Sequence, residues 1–533
     1  MKLSFIIPFL LFAFGSFAQL KTGENIAVTS TSSGKVRGYI NNGIYNYKGI
    51  PYGEAKRFEA PMKPKAWDGV RSSLTYGPVA PLLTPTTTVS DESEWVFDHN
   101  WGFTNENCLV LNVWTPGIND GKKRPVMFWI HGGGFAAGSS QELPSYDGEN
   151  LARRGDVVVV SINHRLNILG FLDLSAFGDK YKYSANQSIL DMKLALEWVR
   201  ENIANFGGDA NNVTIFGQSG GGAKVNTLMA MPSAKGLFHK AINQSGAFRG
   251  TMLEKEVTQK LGAEVLNQLN ISFEKVDEIQ KVPFSQLADA GRKALANVAD
   301  KMKAEGKVLP AFGLNWGPSV DGDALPYQLL SPEALELSKD IPLLIGTTIN
   351  EFMPSLAQNL ANAPEDKIME SLRKTYGDKT DAYIVAAKKA YPDYKKPSDL
   401  MDIDIRFRPG AVYQANLKSA VPGGAPVYMY LFDWQSPVLD GKYKAIHCME
   451  IAFAFDNIQR TKNMTGGTVA AQALANKVSN AWIQFARKGN PNHPALPVWP
   501  VYNEKNTATM HFNTICKVKP QLDKELLDLV SRP

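Results

Sequence analysis

Gly217-Gln218-Ser219-Gly220-Gly221 sets one serine between glycines two positions to either side. In a G-x-S-x-G turn the serine occupies a sharp bend between a strand and a helix, which lifts its hydroxyl clear of the backbone. Side chains at the flanking glycine positions would collide with neighbouring chain. A hydroxyl presented in this way can attack a carbonyl carbon once a base takes its proton. Upstream, His131-Gly132-Gly133-Gly134-Phe135 supplies consecutive glycines whose N–H groups can turn toward one point. Such donors stabilise the negative charge that builds on a carbonyl oxygen under attack, by about 2.7–4 kcal/mol per donor. A phosphate-binding nest is the other use of such a run, but it would want Lys-Ser/Thr next, and Phe135-Ala136-Ala137 follows.

A base and an acid are needed in the chain order Ser, then Asp/Glu, then His. Four of the seven histidines follow the serine: His239, His447, His493 and His511. His239 closes an apolar helical stretch and reads as a surface or capping residue. His493 lies in the loop Asn490-Pro-Asn-His-Pro494, and His511 alternates with apolar neighbours as in a strand. His447 stands about fifteen residues beyond the apolar run Val427–Phe432, in a loop, and is the candidate base. Glu351 occupies the matching place after the run Pro342–Gly346; Asp321 and Asp323 compete with it, although Val320-Asp-Gly-Asp-Ala324 reads as a turn.

These residues hang on a recurring alternation. Val126–Ile130, Val157–Ile162, Val213–Phe216, Pro342–Gly346 and Val427–Phe432 are short apolar runs that predict buried strands. Between them, Ile189, Met192, Leu196, Val199 and Ile203 recur at three- and four-residue steps, one face of a helix. Residues 352–420 and 470–486 read as mainly helical. Strands alternating with helices imply βαβ units and a mostly parallel sheet. With no internal repeat and no Pro/Ser-rich linker, the reading is one large α/β domain with helical insertions.

Met1-Lys2, the apolar stretch Leu3–Phe14 and Ser16-Phe17-Ala18 together predict a signal peptide over residues 1–18, cleaved before Gln19, and a domain over 19–533. The apolar stretch is short of the ~20 residues a spanning helix needs, and no later stretch is long enough. The expectation is an exported protein, periplasmic or extracellular. Net charge is +5, with basic residues scattered rather than gathered in a stripe, which excludes a nucleic-acid partner. Cys108, Cys448 and Cys516 allow one disulfide at most. No His-Glu-x-x-His and no cysteine cluster occurs, so no metal or organic cofactor is expected.

From about Val28 to Tyr502 the sequence resembles the type-B carboxylesterase/cholinesterase family of α/β-hydrolases. The shared blocks include Lys48-Gly-Ile-Pro-Tyr52, Glu106-Asn-Cys-Leu-Val-Leu-Asn-Val-Trp114, the His131 glycine run, Phe206-Gly-Gly-Asp209, the Ser219 turn, Gln244-Ser245-Gly246 and Trp499-Pro-Val-Tyr502. The resemblance implies the α/β-hydrolase fold, a large mostly parallel sheet flanked by helices, with insertions (252–310 and 355–420) forming the active-site gorge. It implies a serine esterase acting on small-molecule carboxylic esters. Ser219 would be the nucleophile, His447 the general base and Glu351 the carboxylate behind it. The N–H groups of Gly133, Gly134 and Gly220 would form the oxyanion hole. Ser245 becomes a candidate support beneath the triad or a plain buried serine, and Arg57 with Glu106 a structural ion pair. A non-catalytic binding module, and amide, carbamate or lipid hydrolysis by the same triad, are the rival readings.

Three departures stand out against that family. Cys108 lacks the upstream cysteine that relatives pair with it, since Tyr76-Gly-Pro-Val-Ala80-Pro occupies the matching stretch. Gln218 stands where glutamate is common, and Gly220 where alanine is usual. Trp95 and Trp101 are expected in the core or gorge wall. Cys448 is expected either to face the site or to point into the core.

Overall fold

The computed structural model describes residues 19–83, 92–247, 252–310 and 313–530. The expected signal segment 1–18 lies outside the described residues. Among these, eleven strands form one sheet: β1 (Tyr39–Asn41), β2 (Ile44–Pro51), β3 (Val110–Thr115), β4 (Arg124–Ile130), β5 (Val158–Ile162) and β6 (Gly208–Gln218). The rest are β7 (Lys240–Gln244), β8 (Leu343–Thr348), β9 (Val427–Phe432), β10 (Thr509–Phe512) and β11 (Lys517–Lys519). Their spatial order is β11-β10-β9-β8-β7-β6-β4-β5-β3-β2-β1. Strands β4 to β10 run parallel; β11, β3 and β1 pair antiparallel with their neighbours.

The apolar runs become strands because both faces of the sheet are covered. Every residue of β4, β5, β8 and β9 is buried, as expected for a parallel sheet between helical layers. Alternate side chains feed two cores. Val126, Phe128 and Ile130 of β4 join Ile189, Met192, Leu196 and Val199 of the helix Gln187–Asn202 on one face. Met127 and Trp129 join Val478, Trp482 and Phe485 of the helix Val469–Lys488 on the other. The insertion after β8 contributes the helices Glu365–Tyr376, Thr380–Ala390 and Arg408–Ser419. It carries a smaller core around Ile368, Leu372, Tyr383 and Leu400.

Strand order fixes where the loops meet. From β4 the chain moves outward to β5, then returns to place β6 on the opposite side of β4. The loops leaving β4 and β6 therefore diverge at a topological switch point, where a crevice opens at the carboxyl ends of the strands. Ile130 of β4 is level with Gly217 of β6, so His131–Gly134 and Ser219 emerge side by side.

Candidate active site

Ser219 leaves the end of β6 with φ 56° and ψ −124° and caps the helix Gly220–Met229. Few non-glycine residues adopt this conformation, and it costs about 1–3 kcal/mol that the surroundings must supply. Packing explains the flanking glycines: a Cβ on Gly221 would lie 2.1 Å from the Ile130 carbonyl oxygen, and one on Gly217 2.5 Å from the Gly221 carbonyl carbon. The Ser219 N–H donates to the Gln244 carbonyl at 2.8 Å, tying the bend to β7.

Gly133 and Gly134, with φ of 78° and 62°, lie against this turn. The N–H groups of Gly133, Gly134 and Gly220 donate to no protein acceptor among the described residues. These three donors without a protein acceptor sit in the glycine loop and in the turn that holds Ser219, which pack against each other at Gly134 and Gly220. Gly220 is tightly confined, since a Cβ there would stand 2.2 Å from the Gly134 carbonyl oxygen and 2.4 Å from the Gly134 nitrogen. The glycine where alanine is usual lets the Gly134 loop lie directly against the turn.

Glu351 follows β8 and His447 follows β9, and an isolated parallel bridge between Asn350 and Ile446 holds the two loops together. The His447 N–H donates to the Glu351 carbonyl at 3.1 Å, and His447 Nδ1 bonds Glu351 Oε2. The other carboxylate oxygen accepts from Ser245 Oγ and, at 2.8 Å, from the Thr348 N–H. Ser245 is fully buried, and its hydroxyl is committed to Glu351. No hydrogen bond joins Ser219 to His447. Instead the Gln218 amide nitrogen stands 3.2 Å from Nδ1 and 3.3 Å from Nε2. Nearly equal distances to both ring nitrogens place the amide over the imidazole face rather than along either lone pair. Cys448 faces this group, its Sγ donating to Gln218 Oε1 at 3.2 Å; burial pushes its thiol pKa well up.

Burial alone would lower the His447 pKa, but the Glu351 carboxylate outweighs it and the net direction is upward, with Glu450 and Asp404 contributing. Both of those acids are themselves buried. Burial, with the Glu351 charge nearby, pushes Glu450 and Asp404 up to about 7. Phe352 and Phe407 flank the His447 ring with centroids 5.1 and 5.2 Å away; Phe407 is buried and Phe352 exposed.

The remaining sequence candidates separate cleanly. Asp321 is a turn residue, its Oδ1 accepting from the N–H groups of Asp323 and Leu325. His493 bonds the Lys477 carbonyl and His511 the Asp433 carboxylate. His239 does not end a helix: the helix stops at Met229, and His239 Nδ1 accepts from the Val213 N–H just before β7. Arg57 pairs with Glu106 as expected, and all three cysteines are free. Trp95, expected in the core or gorge wall, is 52% exposed, because the helix Ser93–Phe97 buries Val96 instead. Trp101 stacks on His99 at 4.3 Å. Sequence reasoning missed Phe352, Phe407, Glu450 and Asp404. Only Phe352, adjacent to Glu351, gave a local signal.

A family model described as "Carboxylesterase family" matches residues 25–530. The chain belongs to this family. The carboxylesterase is 36% identical over 494 residues to the para-nitrobenzyl esterase of Bacillus subtilis, covering 91% of this chain and 94% of that one. It is 32% identical to the phenmedipham hydrolase of Pseudarthrobacter oxydans, with the same coverages. Among solved structures, an esterase of Clostridium hathewayi that can hydrolyze aliphatic aromatic polyesters superposes with a TM-score of 0.84 at 37% identity, covering 96% of this chain and 99% of that one. These relatives make the carboxylesterase a carboxylic ester hydrolase with the α/β-hydrolase fold, and the binding-module reading falls.

Proposed function

We propose that this carboxylesterase cleaves its substrates through an acyl-enzyme on Ser219, with His447 as base and then acid and Glu351 as the carboxylate behind it. What supports the reading is a strained serine flanked by a glycine loop and turn with three N–H groups that have no protein acceptor, and a carboxylate-bound imidazole packed against the neighbouring Gln218. His447 Nε2 takes the hydroxyl proton as Ser219 Oγ attacks the ester carbonyl, and the oxyanion rests on Gly133, Gly134 and Gly220. The alcohol leaves with the proton from His447. Water then repeats the sequence and releases the acid. The long approach of imidazole and serine in the free enzyme suits a contact that tightens once substrate is bound.

The relatives' names direct the choice of substrate toward esters carrying an aromatic ring, and Phe352, exposed beside the imidazole, offers a ring face that would take one. The test is hydrolysis of p-nitrobenzyl acetate and of p-nitrophenyl esters of increasing acyl length by wild type and Ser219→Ala. Activity lost in the variant and labelling of Ser219 by a fluorophosphonate are expected; undiminished hydrolysis by Ser219→Ala sinks the reading. Residues 1–18 are proposed to direct export and to be removed, on the strength of their charged, apolar and small-residue order. N-terminal sequencing of protein recovered from outside the cytoplasm should begin at Gln19.

A further inference from the structure

Lys224 is fully buried in the helix that Ser219 caps. A lysine is rarely buried without a partner, yet no carboxylate lies within ion-pair distance of this one among the described residues. Its Nζ donates to the carbonyl oxygens of His131 at 3.1 Å and Gly132 at 3.3 Å. His131 Nδ1 lies 3.1 Å from the same Gly132 oxygen.

Peptide planarity gives these contacts a consequence. Across a trans peptide the C=O of one residue and the N–H of the next point in opposite directions. Holding the Gly132 carbonyl on the Lys224 side therefore turns the Gly133 N–H away from Lys224, in a loop whose Gly132 and Gly134 both lie against the Ser219 turn. The other two donors are fixed by backbone alone. The Gly133 carbonyl accepts from the N–H groups of Ala136 and Ala137, which sets the Gly134 N–H, and the Ser219 carbonyl accepts from the Ala223 N–H, which sets that of Gly220. Of the three, only the Gly133 N–H depends on side chains.

We propose that Lys224 is a positioning residue for ester cleavage, holding the His131 and Gly132 carbonyls so that the Gly133 N–H meets the developing oxyanion. The inference rests on the reading of Gly133, Gly134 and Gly220 as oxyanion donors. Burial drives the Lys224 pKa down to about 7, partly offset by Glu142, but an amine and an ammonium alike have the two N–H bonds that these carbonyls take.

The test compares Lys224→Met and Lys224→Gln with wild type, each normalised to active sites counted by fluorophosphonate titration. For Lys224→Met, kcat per titrated site should fall about 10- to 100-fold with KM within about twofold, because a transition-state interaction is lost rather than ground-state binding. Affinity for an aryl trifluoromethyl ketone, which becomes a tetrahedral oxyanion on the serine, should fall by the same factor. Lys224→Gln, one atom shorter but still a donor, should fall between the two, and it decides the matter if Lys224→Met does not fold. Wild-type kcat and ketone affinity per site in a folded variant, or a loss confined to the number of titratable sites, overturns the proposal. A wild-type enzyme insensitive to the ketone, or an active Ser219→Ala, would instead overturn the underlying triad.

Discussion

Ser219 and Ser245 leave adjacent parallel strands at the same level, since Gln218 and Gln244 are paired in register. Both have left-handed backbones, φ 56° and 52°. Each donates its N–H to the next strand, to the carbonyls of Gln244 and Gly346 respectively, both at 2.8 Å. The backbone device is the same; the surroundings of the hydroxyls are not. Ser245 is sealed in the interior and donates to Glu351. Ser219 is partly exposed and makes no capping bond, and the glycine loop packs against its turn. The same strained turn thus places both serines, one committed to Glu351 and the other left free for the attack proposed here.

The sharpest way to break this contrast is to truncate both serines. Ser219→Ala should lose about 10⁴-fold or more in kcat, as triad nucleophiles do. Ser245→Ala should lose only about 5- to 50-fold, the scale of one hydrogen bond to a charged group. Equal losses in a p-nitrophenyl ester assay would mean the two serines are not functionally distinct. Next in size is Gly220→Ala, whose Cβ would overlap Gly134; about a 10- to 100-fold drop in kcat is expected, with KM nearly unchanged, as for a displaced oxyanion donor.

A smaller effect concerns the base proposed for Ser219. His447 must be neutral to accept a proton, and its pKa is raised, so kcat/KM should climb with pH through a midpoint above the ordinary histidine value of about 6.5. Gln218→Glu would lay a carboxylate over the imidazole and favour its charged form, moving that midpoint further up by about half a unit or more while leaving the plateau rate at high pH. A pH–rate profile that does not move, or moves down, contradicts the geometry. The smallest effect should come from Cys448→Ser, within about threefold. With its pKa pushed well up, Cys448 should also react only slowly with iodoacetamide at pH 7, measurable by mass spectrometry.

The parts of the site legible in the sequence are those written in consecutive residues. The Ser219 turn declares itself because strand, glycines and helix are contiguous, and the His131 run because three glycines follow a strand. His447 is singled out by its loop beyond a late strand, but Glu351 needs the family resemblance to separate it from Asp321 and Asp323, since its partnership with His447 spans 96 positions and leaves no periodic trace. Strand β2 was illegible for a different reason: its Ile-Tyr-Asn-Tyr-Lys-Gly-Ile-Pro sequence buries Asn46 and Lys48. Lys48 donates to Tyr76 Oη at 2.9 Å, pairs with Asp147 at 3.7 Å and lies over the Trp114 ring at 3.8 Å, tertiary contacts that override the apolar pattern expected of a strand. The acids around His447 escaped notice likewise, because a buried carboxylate looks like a surface one until its neighbours are known.

The order in which the sheet is stitched together bears on how the enzyme is born. Residue 131 enters from β4, 219 from β6, 351 from β8 and 447 only after β9, so the catalytic parts are laid down over more than half the chain. A refolding molecule can own its serine, its glycines and its acid while still lacking an imidazole to connect them. Long-range parallel pairing is slow. Recovery of ester turnover should therefore lag behind recovery of helical signal, making activity a clock for the last strands to join rather than for the first.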